Sequence, residues 1–493
     1  MVCEMIKNAF AGSKDKTIIE YEDKKISFQE YLELVEILKK GFCQSGLGPD
    51  NSVAVLLKKS YLGFFSFSAL SEMGSIQLMM DPNLSEYELE KHLGVFSPDY
   101  LITDTALNID VKSAPYHRLE YGTSIKDAPI FIYKHQSLDG SWKGLCNQKA
   151  LKGAVIFFSS GSTDMPKAVV RTQDNILKDA INNIETFSIA SKDKVLCAAS
   201  FSHVYGFGSG SIPYFASGAT VKFINPFTTI NKLHNELNNN GYSIFVGLPI
   251  HYKLLLDNCE DRLNLRIAFS AGGVISSEIV NNIYTKTGIR INNMYGMSEL
   301  GGITTLYENM HEGNLLSVGT PLSNVQVRLG EKINDEGDDH PLFEIYVKSN
   351  TVSPGYYDTN KKALTGIILE DGWFNTNDLG YMTEDGSVYI KSRKQNMINT
   401  SGKKINPLEI ENIICQFQGI REAVVIGKKD EERGEVPVAY IVAEPTIDKQ
   451  ALLSFCYTKL PMHKIPKEVT VIEKLPKTRS GKVRRHDVGR EVQ

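Results

Sequence analysis

The stretch Ala154-Val155-Ile156-Phe157-Phe158-Ser159-Ser160-Gly161-Ser162-Thr163-Asp164-Met165-Pro166-Lys167 contains the change of texture that decides how the rest of the chain is read. Ala154–Phe158 is apolar and β-forming; the residues after it are mainly Ser, Thr and Gly, closed by a lysine. A strand opening into such a loop suits a polyphosphate, because hydroxyls and bare backbone N–H groups surround the oxygens and the lysine adds positive charge. The loop is not of the GxxxxGK[ST] type, since Lys167 is followed by Ala168.

On either side of this stretch, short apolar runs alternate with segments of helical period. Val53–Leu57, Tyr100–Thr103, Lys194–Ala198, Ile244–Leu248 and Leu265–Ser270 read as strands. Phe28–Ser45, Asn175–Thr186, Ile230–Asn239 and Ser276–Thr287 read as helices. That alternation predicts parallel sheets covered by helices. From about Gly319 to Ile390 short strands and Gly/Asp turns dominate, which predicts a smaller β-rich subdomain. After Ser392-Arg393-Lys394-Gln395-Asn396 the pattern restarts. Helices are expected over Pro407–Phe417 and Lys449–Leu460, and strands over Ala423–Gly427 and Val438–Ala443. The predicted class is α/β: a large N-terminal domain of helix-covered sheets with a β-rich subdomain, then a small α+β C-terminal domain.

The bulk numbers agree with several domains and exclude some functions. A chain of 493 residues is too long for one compact core. Its net charge of −4 gives no drive toward nucleic acid or an anionic membrane. The Tyr61–Met80 window comes nearest to a membrane span, and Ser71, Glu72 and Gln77 interrupt it. The seven cysteines are scattered and never form CxxC, so reduced buried thiols in a cytoplasm are expected, without a metal or disulfide framework.

Four further segments carry chemistry or could be taken to. In Asn293-Met294-Tyr295-Gly296-Met297-Ser298-Glu299, an aromatic ring could stack on a base, a glycine turn could approach a phosphate, and a carboxylate could ligate Mg²⁺. In Trp373–Gly380, Asp378 follows aromatics in a turn and could accept from both hydroxyls of a ribose. The tail Pro476-Lys477-Thr478-Arg479-Ser480-Gly481-Lys482 is basic. The cluster Gly206-Phe207-Gly208-Ser209-Gly210 is not GxGxxG and predicts no dinucleotide site.

In their order along nearly the whole chain, these motifs resemble the adenylate-forming superfamily of acyl- and aryl-CoA ligases, luciferases and peptide-synthetase adenylation domains. Ser159–Lys167 looks like its [ST]SG[ST]T…PK loop, Ala271-Gly272-Gly273 like its AGG turn, and Tyr295–Glu299 like its YGxTE motif. Phe343–Tyr356 is similar to GELxxxGxxxxxGY, Trp373–Leu379 to WxTGDL, Arg393–Glu411 to the hinge and PxEIE stretch, and Pro476–Lys482 to PxTxSGK.

The resemblance implies an N-terminal adenylate-forming domain over 1–392, with its β-rich part at about 319–392, a hinge at 393–396, and a mobile C-terminal domain over 397–493 that carries the catalytic lysine. It implies that Ser159, Ser160, Gly161, Ser162, Thr163 and Lys167 hold the β- and γ-phosphates of ATP. Tyr295, Gly272, Gly273 and Gly296 would shape the adenine side, Glu299 would hold Mg²⁺, and Ser298 would touch the α-phosphate. Asp378 and Arg393 would take the ribose, and Lys482 would bridge the substrate carboxylate and the α-phosphate. Gln395 would be the pivot, and Gly402 would line the thiol tunnel.

The departures are Asp164, Ala168, Asn377, Gln395 and Asn396, none of which removes a charged catalytic group. Ser202-His203-Val204-Tyr205-Gly206-Phe207 resembles the aromatic–His segment beside the acyl pocket and lacks the aspartate that amino-acid-activating relatives use. An aryl or short-to-medium aliphatic acid is therefore expected, with His203 gating and Tyr205, Phe207, Val246, Gly247, Met297, Gly301 and Gly302 lining the pocket. The expected acceptor is the thiol of CoA. A carrier-protein phosphopantetheine is the alternative, and a luciferase-like oxygenase and a non-catalytic nucleotide-binding protein are the other readings.

Overall fold

The computed structural model describes residues 1–107, 116–119, 123–125, 128–136, 142–159, 166–258, 262–273, 275, 277–306, 317–333, 340–401, 403–445, 447–477, 483–485 and 487–488. The chain separates into two compact units. One comprises Met1–Tyr307, Pro321–Val325 and Ser349–Ile368; the other comprises Glu308–Thr320, Gln326–Lys348 and Leu369–Gln493.

The first unit holds two large mixed sheets. In one, the strands run in the order Gly301–Thr305, Ile291–Met297, Ile267–Ser270, Ile244–Gly247, Lys194–Cys197, Thr220–Phe223, Thr17–Tyr21 and Lys24–Ser27. Its middle is parallel, and the pairings of Gly301–Thr305 and Lys24–Ser27 are antiparallel. In the other sheet, Val155–Ser159, Ile76–Met79, Ser52–Leu56 and Tyr100–Thr103 are parallel neighbours. Antiparallel strands flank them, Lys167–Arg171 on one side and Ala128–His135 on the other.

Most predicted elements stand within a residue or two. Tyr100–Thr103 and Ile230–Asn239 have the expected bounds, and Phe28–Ser45 forms a helix over Phe28–Gln44. The capping box of Ser27 and Glu30 fixes the start of that helix. The apolar Tyr61–Met80 window divides at Gly74, whose φ of +84° ends one element before the next begins. Ser60–Met73 is a helix buried on nearly every side, and Ile76–Met79 is a central strand. Phe64, Phe67, Phe157, Phe201 and Phe207 make an aromatic core around that helix. Among the described residues no helix is long and apolar enough to cross a membrane.

In the second unit, Val325–Ile333, Leu342–Ser349, Phe374–Met382 and Val388–Arg393 form a four-stranded sheet in that order. The β-rich stretch expected as one block over 319–392 is not one. Gly355–Asp358 pairs with Lys167–Arg171, and Ala363–Gly366 pairs with Gly355–Asp358, so this hairpin extends the second large sheet of the first unit. The cause is the register of Ala168, Val169 and Val170 against Tyr357, Tyr356 and Gly355, with Tyr357 stacked on the buried Trp142 at 3.8 Å between ring centroids. The end of the chain is α+β, as predicted. Strands Ile398–Thr400, Lys403–Ile405, Ile420–Asp430, Gly434–Ala443 and Glu468–Val471 form one sheet. Helices Pro407–Ile414 and Lys449–Lys459 share an apolar cluster with it. Of the described cysteines, Cys3, Cys146, Cys197 and Cys456 are buried, whereas Cys43 and Cys415 are exposed; all six are free.

Candidate active site

Val155–Ser159 and Lys167–Arg171 are the arms of an antiparallel hairpin in which Ser159 faces Lys167. Their apolar residues, Val155, Ile156, Phe157, Ala168, Val169 and Val170, are buried, and that burial anchors both ends of the segment expected to hold phosphates. Ser160, Gly161, Ser162 and Thr163, named for the phosphates, lie outside the described residues, as does Asp164. Lys167 is exposed, with its Nζ 5.4 Å from the centre of the Tyr356 ring.

The second part is a turn. Ile291–Met297 runs out and Gly301–Thr305 returns, with Tyr295 opposite Thr304, Gly296 opposite Gly302 and Met297 opposite Gly301. Ser298, Glu299 and Leu300 connect them. Gly296 is exposed, Tyr295, Met297 and Ser298 are half-buried, and Glu299 is buried. The Tyr356 hydroxyl donates to Glu299 Oε1 at 3.0 Å. Burial and this neighbouring carboxylate push the Tyr356 phenol well above its ordinary range, so it stays a proton donor. Among the described residues no lysine, arginine or histidine forms an ion pair with Glu299, and no three His, Cys, Asp or Glu side chains form a metal cluster. One buried carboxylate with a neutral donor on one oxygen fits Mg²⁺, which is usually held by one or two carboxylates plus substrate phosphates. Gly272, with φ +82°, and Gly273 are exposed just beyond strand Ile267–Ser270.

The residues named for the acyl pocket divide. His203 is exposed, with Nε2 3.7 Å from Asp81 Oδ2. The Tyr205 hydroxyl donates to the Gly247 carbonyl at 3.0 Å, which ties the segment to the end of strand Ile244–Gly247. Phe207 and Val246 are core residues instead of pocket lining, and Phe207 packs on Phe67, Phe157 and Phe201. At the small residues, the positions that a Cβ would take are already occupied by neighbouring side chains. A Cβ on Gly247 would come 2.7 Å from the Phe245 ring, and one on Gly302 would come 3.1 Å from Leu322. The space over Gly301 is filled by the Asp179 carboxylate.

In the second unit Asp378 and Arg393 are partners across antiparallel strands, with Arg393 Nε 2.9 Å from Asp378 Oδ1. Asp378 is 2% exposed. Asn377 has φ +57°, a left-handed conformation that asparagine adopts more readily than most residues, and its N–H donates to Asn375 Oδ1 at 2.8 Å. The departure from glycine at 377 is thereby accommodated. Gln395 is exposed in the 3₁₀ turn Lys394–Asn396, and Lys394 pairs with the buried Glu344. Gly402 and Lys482 lie outside the described residues. Lys477 bridges to Val483, and Arg485 grips Glu411 in bidentate fashion at 2.5 and 2.8 Å while donating to the Val425 carbonyl at 2.7 Å. The chain on either side of 478–482 is therefore anchored.

Sequence reasoning gave no role to Arg171, Asp179 or Tyr356. Only Tyr356 left a signal, as the last residue of the Phe343–Tyr356 segment.

Comparison with known proteins places these features in a family. Residues 6–357 match the family described as AMP-binding enzyme, and residues 409–482 match the AMP-binding enzyme C-terminal domain. A 2-succinylbenzoate–CoA ligase of Listeria monocytogenes (serotype 4b, strain F2365) is 31% identical over 479 residues, covering 96% of each chain. A protein of the same name from Bacillus cereus (strain Q1) is 27% identical over 500 residues, covering 99% of this chain and 98% of that one. Among solved structures, o-succinylbenzoate CoA synthetase (MenE) from Bacillus subtilis, in complex with the acyl-adenylate intermediate OSB-AMP, superposes with a TM-score of 0.80 at 23% identity, covering 98% of this chain and 97% of that one. ATP-bound MatB from Rhodopseudomonas palustris also gives 0.80, at 21% identity, covering 100% and 99%. At these identities the structures show a shared fold.

Proposed function

The chain belongs to the AMP-binding enzyme family, and from that premise we propose that it joins 2-succinylbenzoate to coenzyme A. It is an AMP-forming acid–thiol ligase of the adenylate-forming superfamily, working with ATP and Mg²⁺. The observation that carries the substrate is the 31% identity, across 96% of both chains, with a ligase named for that acid. The acid brings an aromatic ring, in keeping with the aryl acid expected from the Ser202–Phe207 segment.

The chemistry runs in two displacements. An oxygen of the substrate carboxylate, already ionised at neutral pH, attacks the α-phosphorus of ATP, and pyrophosphate leaves. The CoA sulfur, losing its proton, then attacks the acyl carbon, and AMP leaves. The obstacle in the first step is repulsion between anions. Lys167 and the Ser159–Thr163 loop take the β- and γ-phosphates, and Lys482 spans the carboxylate and the α-phosphate, where charge develops. Bound at Glu299, Mg²⁺ would neutralise part of the polyphosphate charge. Tyr295, Gly272 and Gly273 take the adenine side, and Asp378 with Arg393 takes the ribose hydroxyls. The hinge at 393–396 lets the C-terminal domain over 397–493 remove Lys482 after adenylation and admit the thiol past Gly402.

The test is acid-dependent release of pyrophosphate with ATP and Mg²⁺, across aryl, fatty and amino acids, with and without CoA. We expect 2-succinylbenzoate to give the highest turnover, the CoA thioester to accumulate, and Lys482→Ala to slow adenylation by about 10²–10³-fold. A better signal with another acid class overturns the substrate. Adenylate that turns over only with a phosphopantetheine carrier overturns the acceptor.

A further inference from the structure

The turn that carries Glu299 has each of its three carbonyls held from outside. The Ser298 carbonyl accepts from Arg171 Nη1 at 3.2 Å, the Glu299 carbonyl from the Ser353 N–H at 2.8 Å, and the Leu300 carbonyl from the Thr351 hydroxyl at 2.6 Å. Just past the turn, the Gly302 N–H donates to Asp179 Oδ1 at 3.2 Å. Arg171 is 2% exposed and Asp179 is 4% exposed, and they are partners of one another, Nη2 to Oδ2 at 3.5 Å. One buried pair thus grips both sides of the turn, its cation at 298 and its anion at 302.

The details of the pair argue for holding backbone more than for mutual attraction. A separation of 3.5 Å is long for a charge-assisted bond, and Arg171 Nε is buried with no hydrogen-bond partner among the described residues. Buried pairs often add little net stability over apolar residues of the same volume, so stability alone is a poor reason to keep one here. What Arg171 and Asp179 do well is reach. They extend from the end of strand Lys167–Arg171 and from helix Gln173–Phe187 to a turn more than a hundred residues away in sequence. The glycines complete the fit: a side chain on Gly301 would collide with the Asp179 carboxylate, and a Cβ on Gly208 would lie 3.0 Å from it.

We infer that Arg171 and Asp179 are positioning residues that fix the Ser298–Gly302 turn so that the Glu299 carboxylate is presented to the Mg²⁺ of MgATP. This rests on the assignment of Glu299 under Proposed function. Groups behind a metal ligand set its orientation, and losing one typically lowers metal affinity or activity by about 10–100-fold.

The experiment is calorimetric titration of the full chain with ATP, in EDTA and across a series of Mg²⁺ concentrations, for Arg171→Met, Asp179→Asn, Thr351→Val and Glu299→Gln. Thermal stability is recorded alongside. Arg171→Met and Asp179→Asn are expected to bind metal-free ATP as the parent does and to lose about 10-fold or more in the gain that Mg²⁺ confers. The Mg²⁺ concentration for half-maximal pyrophosphate release should rise by the same factor. Thr351→Val, which removes one of the three carbonyl holds and leaves the pair intact, should move both in the same direction by less; it carries the test if the charge variants do not fold. A lowered melting temperature with an unchanged Mg²⁺ gain in every folded variant overturns the inference. Glu299→Gln separates the two claims. If it leaves the Mg²⁺ gain unchanged, the assignment of Glu299 itself falls; if it abolishes the gain while the Arg171, Asp179 and Thr351 variants do not alter it, only the positioning role falls.

Discussion

At Glu299 and Tyr356, one carboxylate and one hydroxyl meet in a direct hydrogen bond. Glu299 is buried, and the Tyr356 hydroxyl is its direct side-chain donor at 3.0 Å. In Tyr356→Phe the carboxylate loses that donor, so without ligand the protein should be less stable by about 1–3 kcal/mol, read from urea midpoints. An unchanged midpoint would show that water replaces the phenol without cost. His251 offers a separate test through pH. Its Nδ1 accepts from the Leu248 N–H at 3.0 Å and its Nε2 lies 2.7 Å from the Pro226 carbonyl, so the folded ring is neutral with its proton on Nε2. Burial lowers its pKa below the ordinary 6.5. The unfolded chain therefore takes up a proton first as pH falls. The stability that His251 contributes is complete above the unfolded value and declines below it, toward the folded pKa, by up to about 1.4 kcal/mol per pH unit. Denaturation of the parent between pH 7 and 5 should show this slope, and His251→Gln should lack that part of it. Sequence reasoning could propose Lys167, Glu299 and Asp378 because each sits inside a short motif. It could not propose Arg171 and Asp179, because their partners lie far away in sequence and their chemistry exists only once the sheet and the helix bring them to the turn.

Among the described elements, the segment Tyr205–Ser209 is a single π-helical turn. Such turns are rare and often mark functional positions. Here the turn depends on a close approach, because a Cβ on Gly206 would run into the Ser200 carbonyl, and the Ser211 hydroxyl donates to the Gly206 carbonyl on the other side. Gly206→Ala should cost about 1–3 kcal/mol and shift Tyr205, so the Tm falls and acid-dependent turnover falls with it. Retained turnover at a lowered Tm would remove this turn from the acyl side. Regular elements were read more easily. Repeating apolar positions located Phe28–Gln44 and Ile230–Asn239, whereas the helix Glu86–Phe96 went unread although Ser85 and Glu88 form its capping box. The hairpin of Gly355–Asp358 and Ala363–Gly366 falls inside the stretch expected as one β-rich subdomain yet pairs with the second large sheet, because strand character is local and the choice of pairing partner is not.

For the molecule as a whole, the domain boundary remains the main mechanistic proposal. The PxEIE helix Pro407–Ile414 and the tail are joined through Arg485 and Glu411, and the exposed Gln395 stands in the short turn before strand Ile398–Thr400. Proline at 395 would fix one backbone angle of that turn. If the turn is the pivot, Gln395→Pro should leave adenylate formation within a few-fold and reduce CoA thioester formation by at least about tenfold, on the logic of hinge gating. Equal losses in both half-reactions would place the pivot elsewhere. The sequence by itself determined the α/β class, the order of the motifs and the reaction family, because periodicity and short motifs are properties of neighbouring residues. Only the tertiary structure decided which glycines leave space and which are filled by a neighbour, that Phe207 and Val246 belong to the core, and that Arg171, Asp179 and Tyr356 stand behind Glu299. Those outcomes depend on packing and on contacts between residues distant in sequence, and no local pattern of the chain encodes them separately.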